Sequence, residues 1–497
     1  MKNILVETPF PIYSIALLGE HHFVIAGGGG QARTGVPNLL EVYAFALEND
    51  DATRIKAVKV HIKDTKLLAT MNMDVSCCFT DSGSICKETN NGVTALEDAP
   101  LNSEKKIKPQ HHSRDAENET RLTENNRRFI LAAGQDRFCK IYELQYDIAC
   151  LLNDQIVSFL STIELPTTAQ SSSLVRDGEV RNRTGERTEQ PPTYRKLEGV
   201  NNGSTEVRNG CIKRLGFHCF KERSIQTDSH PKNPFQKVVR VTPNGSHIVT
   251  GGADGHFRIW DLKTCQKVVD NNAHNDDIDD IAIAPDGTRF ITIGRDKRAY
   301  AWNIADGSRF VNIPNPPPDV PEKFLFRNAR FSSRGRNGYL FYTSSVPVIK
   351  QTKGLLCYVT QWIMLKSSVQ PIKTIATGPE MTSAMALSDC GQFMALGTMS
   401  GSISIWDALE LQLLIRFKET HDIFVTGLAF LASSPNPDSY LASYMYRNRT
   451  ALLSIAADNT VQLHSLKRSK PKSLMWRLFV LTMVVLGVSL LLSYLEF

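Results

Sequence analysis

The stretch "KVVRVTPNGSHIVTGGADGHFRIWDL", residues 237–262, constrains the fold more than any other part of the chain. It holds an apolar run, Asn244-Gly245, a second apolar run ending in small residues, Asp254-Gly255, and a third run carrying an aromatic residue. Asn-Gly and Asp-Gly supply the positive φ that tight hairpins need, so this is a three-strand meander. The grammar returns as "IDDIAIAPDGTRFITIGRDKRAYAWNI" (278–304) and "TSAMALSDCGQFMALGTMSGSISIWDA" (382–408), and more loosely over 425–466. A longer variant spans Asn328 to Leu365. Upstream, "LLATMNMD" resumes as "RFILAAGQDRFCKIYEL" (128–144), and "IYSIALLGEHHFVIAGG" leads into "NLLEVYAF", which brings the units to seven. A strand-only unit recurring at a fixed period, here about 40 to 55 residues, predicts radial stacking rather than an open sheet.

The expectation is an all-β, seven-bladed β-propeller, which leaves no long strand edge unpaired. "RIWDL", "SIWDA" and Ala273-His274 resemble the WD-repeat class. On that resemblance His274 and His421 are structural hydrogen-bonding residues rather than metal ligands or bases, and Trp260, Trp302 and Trp406 pack between blades.

Two stretches break the pattern. Residues 80–127 and about 165–233 are rich in Ser, Thr, Asn, Glu, Lys and Arg and poor in large apolar residues, so they are expected to be disordered insertions. The carboxy terminus breaks it differently. "LFVLTMVVLGVSLLLSYL", Leu478 to Leu495, carries no charge and is long enough to cross a bilayer as one helix. The basic segment 467–477 precedes it and only residues 496–497 follow. The positive-inside rule therefore places the propeller, residues 1–466, in the cytosol and residues 496–497 in the lumen. Pro11 cuts the first apolar run short, which argues against a secretory signal. The ten cysteines include no C-x-x-C pair and read as reduced thiols, and the five Asn-X-Ser/Thr sequons are expected to stay unglycosylated. A net charge of +6 over 497 residues is too diffuse to imply nucleic acid, and no nucleophile, base and orienting residue stand together as in a hydrolase.

"AGGGGQARTGVPN", Ala26 to Asn38, invites a phosphate-loop reading. Gly30 and Gly35 have the Walker spacing, but Val36 and Pro37 fill the Lys and Ser/Thr positions, and Asn38 leads into a strand where a dinucleotide fingerprint needs a helix. Register with the third unit makes it instead an enlarged hairpin turn. Its glycines allow positive φ, Pro37 stiffens the exit, and Asn38 offers both a carbonyl and an amide. Converging carbonyls of that kind suit a hard monovalent cation.

The same loop, with "ATMNM" (69–73), "LAAGQD" (131–136), "QTD" (226–228), "QKVV" (236–239), "TGGADG" (250–255), "IGRD" (293–296) and "GTMSGS" (397–402), makes the chain resemble a known family over nearly its whole length. This is the family of endoplasmic-reticulum guanine nucleotide exchange factors for the Sar-type small GTPase, called prolactin regulatory element-binding proteins in animals. The resemblance implies an exchange factor without covalent chemistry, anchored in the endoplasmic reticulum membrane, that initiates COPII coat assembly and ER-to-Golgi transport. It implies a potassium ion held by Gly27, Gly28, Gly29, Gly30 and Asn38, mainly through backbone carbonyls, and an exchange loop in which Gly35, Pro37 and Asn38 act on the GTPase. Neither nucleic acid nor a small-molecule substrate is expected. Two other readings stay open at this level: a membrane-tethered propeller scaffold without exchange activity, and a transcriptional regulator.

Overall fold

A computed structural model describes residues 3–31, 35–48, 51–79, 127–151, 212–216, 223–335, 338–348, 355–435, 440–468 and 482–488. Nearly all of these belong to one compact unit made of residues 1–148 and 213–497. Within it lie seven antiparallel sheets. Blade 1 is Ile12–Leu18, His22–Gly27, Leu39–Glu48 and Asp51–Asp64, and blade 2 is Thr70–Phe79, Arg127–Gln135, Phe138–Leu151 and Arg223–Gln226. Blades 3 to 6 begin at Gln236–Val241, Ile278–Ile283, Phe324–Phe331 and Thr382–Leu387, each followed by three further strands in chain order. Each inner strand touches the inner strand of the next blade, and that of blade 7, Val425–Phe430, touches that of blade 1, so the ring closes.

Closure uses the two ends of the propeller sequence. Blade 7 takes Val425–Phe430, Asn448–Ala456 and Thr460–Lys467 from late in the chain and its outer strand, Ile4–Glu7, from the beginning. The pairs are Ile4 with Gln462, Val6 with Val461 and Glu7 with Thr460, and the Thr8 N–H donates to the Asn459 carbonyl at 2.9 Å. Val6, Phe10, Ile12, Leu453 and Leu463 then share one apolar cluster, which fastens the start of the chain to the last blade.

The propeller expected from the repeats is present, with three differences. Arg223–Gln226 lies inside the stretch expected to be a disordered insertion, yet it is the outer strand of blade 2, paired residue for residue with Phe138 to Ile141. Its polar composition hid it, because an outer strand buries only one side, here through Ile225. A short helix, α1 (Tyr440–Arg447), also had no sequence signal; Leu441, Tyr444 and Met445 pack it onto the cluster that holds Phe23 and Phe45. Of the segment 478–495 only residues 482–488 are described, and they are helical with exposed apolar side chains. Among the described residues no helix is long and apolar enough to cross a membrane. Most of the expected span, and residues 80–126 of the first insertion, lie outside the described residues.

The histidines are structural, as the repeat grammar implied. His274 Nδ1 pairs with Asp296 at 3.0 Å and its Nε2 with Thr292 Oγ1 at 2.8 Å, while the Trp302 indole donates to the same hydroxyl at 2.9 Å. Blade 7 repeats this frame with His421, Asp458 and Ser454, but the tryptophan position holds His464, whose Nε2 lies 2.8 Å from Ser454 Oγ. Burial, reinforced by His421 beside it, pushes His464 down to about 3. Burial opposes ionisation of Asp458, but hydrogen bonds from His421 and Thr460 outweigh it and hold the carboxyl at about 2.

A pH dependence follows. Below about 6.5 the unfolded chain protonates His464 while the folded chain does not, so stability present above 6.5 is lost as pH falls, by about 1.4 kcal/mol per unit for a fully excluded proton. Urea unfolding at pH 7.5 and 5.0 should show this loss, and His464→Gln should flatten it. An equal pH slope in wild type and variant would remove His464 as its source.

Candidate functional site

The glycine loop is the connection between the second and third strands of blade 1, residues 28–38; the equivalent connection in blade 3 is residues 253–255. Ala32 to Thr34 lie outside the described residues. The insertion reads as an enlarged turn, and its two arms are built differently.

Gly27 and Gly28 are close-approach positions. A Cβ on Gly27 would stand 1.9 Å from the Pro11 carbonyl oxygen. Gly28 has φ +137°, and a Cβ there would lie 2.2 Å from Asn38 Oδ1 and 2.7 Å from the Pro37 carbonyl oxygen. Gly30 and Gly35 sit at φ +71° and +76° with open space around them, so their requirement is backbone conformation alone. Gly35 and Pro37 are exposed, and Val36 packs onto the apolar cluster beneath.

Asn38 joins the arms. Its Oδ1 accepts the Gly30 N–H at 2.8 Å and its Nδ2 donates to the Gly30 carbonyl at 3.0 Å. The same Nδ2 donates to the Lys66 carbonyl at 2.8 Å, and Thr65 donates to the Asn38 carbonyl from both N–H and Oγ1 at 3.0 Å. Asn38 is only 5% exposed. Within the loop the Asn38 side chain is a clip: its amide replaces the hydrogen-bond partners that a two-residue hairpin would have made itself. Residues 65–69, which join blade 1 to blade 2, form the other half of this clip, and sequence spacing gave no sign of it. Just beyond, on the strand leaving the loop, Glu41 is buried; Lys59 Nζ lies 2.7 Å from it and the Tyr43 hydroxyl donates to it at 2.5 Å. Burial and the adjacent Glu41 carboxylate push the Tyr43 hydroxyl far above its ordinary value.

In an up-and-down blade, second-to-third-strand connections and blade-to-blade connections emerge on one face. That face carries the loop and exposes Leu67, Met399, Ile423 and Phe424, apolar side chains with no core to fill. Thr460–Lys467 is the third strand of blade 7 and runs away from that face, so the chain leaves the propeller on the opposite side.

Among the described residues no group of His, Cys, Asp and Glu could hold a metal ion. The oxygens around Gly28 are a different donor set. The Pro37 carbonyl and Asn38 Oδ1 both face the position that a residue-28 side chain would occupy, and that all-oxygen cradle is compatible with a hard cation.

Comparison with known proteins adds a second line. The WD domain, G-beta repeat family matches residues 224–261 and 263–303. The chain is 27% identical over 495 residues to the guanine nucleotide-exchange factor SEC12 of Mus musculus, covering 98% of this chain and 96% of the mouse protein. The Rattus norvegicus protein of the same name gives the same identity and coverage. Over nearly its whole length this chain is similar to the proteins named guanine nucleotide-exchange factor SEC12, and it carries WD repeats. By contrast, the small ribosomal subunit protein RACK1 of Drosophila melanogaster is 26% identical over only 185 residues, 37% of this chain and 54% of that protein. The SEC12-type similarity is of another kind, since it covers nearly the whole length of both proteins.

Proposed function

We propose that the chain is a guanine nucleotide exchange factor for a Sar-type small GTPase, acting from the endoplasmic reticulum membrane to start COPII coat assembly and ER-to-Golgi transport. The observation that carries this reading is the end-to-end similarity to curated exchange factors. The glycine loop would supply the acting element. Exchange needs no nucleophile; it needs a surface that binds the nucleotide-free GTPase better than the loaded one, so that GDP leaves and GTP enters. The exposed Gly35 and Pro37 would present the loop to the GTPase, Asn38 would fix its shape from beneath, and Leu67, Met399, Ile423 and Phe424 would give apolar contact on the same face. A preformed loop loses less ordering entropy on docking.

A potassium ion fits the same geometry. The Pro37 carbonyl and Asn38 Oδ1, which face the Gly28 Cβ position, would hold it, and the carbonyls of Gly27 to Gly30 would be the further ligands that the family resemblance implies. Bound there, it would supply positive charge that keeps the oxygens converged. Replacing potassium with sodium is then expected to slow exchange several-fold, read as nucleotide release in matched chloride buffers; equal rates would remove the ion from the account. Residues 478–495 would anchor the chain in the membrane, and because the chain leaves the propeller opposite the glycine loop, the loop would face the cytosol. Binding of the full chain to the GTPase stripped of nucleotide, compared with the GTPase carrying a non-hydrolysable GTP analogue, tests the function. Preference for the stripped form is expected, and equal binding to both would favour a scaffold.

A further inference from the structure

The inner strands of the ring enclose a cavity of about 400 Å³, within the size range of small-molecule sites. Its lining is uneven. Asp74 of blade 2, Arg240 of blade 3, and Asn328 and Arg330 of blade 5 stand on one side, with Met385 and Leu428 of blades 6 and 7 across the ring.

Asp280, buried on the inner strand of blade 4, lies between the two arginines. Its Oδ1 accepts Arg240 Nη2 at 2.9 Å and the Ile281 N–H at 3.0 Å, and its Oδ2 accepts Arg330 Nη1 at 2.5 Å and the Ala329 N–H at 3.1 Å. That carboxylate is saturated. Arg240 also donates Nη1 to the Val239 carbonyl at 2.8 Å. Arg330 spends only Nη1, on Asp280 and on the Ala329 carbonyl at 2.6 Å. Among the described residues Arg330 Nη2 and Nε find no protein acceptor. Neither does Nδ2 of Asn328, two positions away on the same side of the strand; its Oδ1 accepts Ser344 Oγ at 3.3 Å.

The two guanidiniums share one hydrogen-bonded carboxylate, Asp280, while the second carboxylate of that wall, Asp74, accepts from neither of them. Burial and the nearby Arg330 both push Arg240 below its ordinary value, and Asp280 and Asp74 oppose the shift. The other carboxylate, Asp74, is turned to the Val241 N–H at 2.8 Å. Burial raises it, although Arg240 opposes the shift.

We propose that this wall of the channel binds a phosphate-class oxyanion, held by Arg330, Asn328 and Arg240, with a cavity large enough for a small phosphomonoester. Guanidinium and amide N–H groups left without acceptors in a confined polar cavity match the several acceptor oxygens of such an ion.

The test is calorimetric titration of the full chain in detergent with inorganic phosphate and with glycerol 3-phosphate, against chloride at constant ionic strength. Saturable binding of one anion per chain is expected. Arg330→Gln should weaken it by about tenfold or more, the worth of a charge-assisted hydrogen bond. Asp74→Asn should tighten it by about threefold through loss of a like charge. Should Arg330→Gln fail to fold, Asn328→Leu, which leaves the Asp280 contacts in place, gives the same reading. Tighter binding of glycerol 3-phosphate than of phosphate identifies a phosphomonoester as the ligand; the reverse order identifies the free ion. No saturable binding beyond chloride, or unchanged affinity in both the Arg330 and Asn328 variants, would overturn the proposal.

Discussion

Asn38→Ala is expected to lower stimulated GDP release by about 10²-fold, the scale on which small misplacements of an acting group are felt. The substitution removes three hydrogen bonds at once, to the Gly30 N–H, the Gly30 carbonyl and the Lys66 carbonyl. These are the bonds that tie the glycine arm to the exit arm and both to the connection between blades 1 and 2. At about 1 kcal/mol each they outweigh what the remainder of the loop can retain, given positive-φ glycines at Gly28, Gly30 and Gly35 that leave the backbone free to wander. The propeller does not depend on them. Phe10, Ile12, Phe23 and Ile25 beneath the loop keep their packing, so the thermal midpoint should fall by a few degrees at most. Asn38→Asp keeps the acceptor for Gly30 N–H and loses both donated bonds, so it should be nearly as damaging. Nucleotide-release kinetics alongside circular dichroism melting separate the two effects. Full exchange by a folded Asn38→Ala chain would mean that the loop's shape is not what acts.

Deleting residues 1–7 should cost about 3 to 5 kcal/mol of stability, from the lost backbone ladder and the apolar burial of Val6. The reason is topological. Ile4–Glu7 is the strand that completes blade 7, and no neighbouring segment can replace it. Thr460–Lys467 would become a bare edge whose Val461 and Leu463 are now buried, so the shortened chain should also self-associate. Urea unfolding with size-exclusion chromatography reads both outcomes. An unchanged midpoint and an unchanged elution volume would show that the ring does not rely on this closure.

Blades 3, 4 and 6 were legible because their hairpin turns are written in Asn-Gly, Asp-Gly or a near equivalent between apolar runs, a local rule that needs no tertiary context, and the looser units were found by register with them. What escaped was whatever depends on a distant partner. Ile4–Glu7 carries no mark of pairing with residues more than 450 positions away; only the completed ring gives it a place. Arg223–Gln226 looks like the insertion that precedes it, and α1 exists because Leu441, Tyr444 and Met445 find blade 1. His464 stands where blade 4 has Trp302, and its depressed basicity comes from burial against His421, which its neighbours in sequence do not encode. The glycine loop falls between these cases. Its length and glycine content marked it as a built feature, and Asn38 stood out by chemistry, but the direction of that side chain was set by Lys66, 28 residues on, and turned it inward.

The most direct test of the account is the rate of fluorescent GDP release from the Sar-type GTPase, with excess GTP, in the presence and absence of the full chain in vesicles. The account predicts acceleration that grows with the amount of chain and is lost with Asn38→Ala. A release rate that stays at its intrinsic value, with chain that is folded and binds the GTPase, would contradict it.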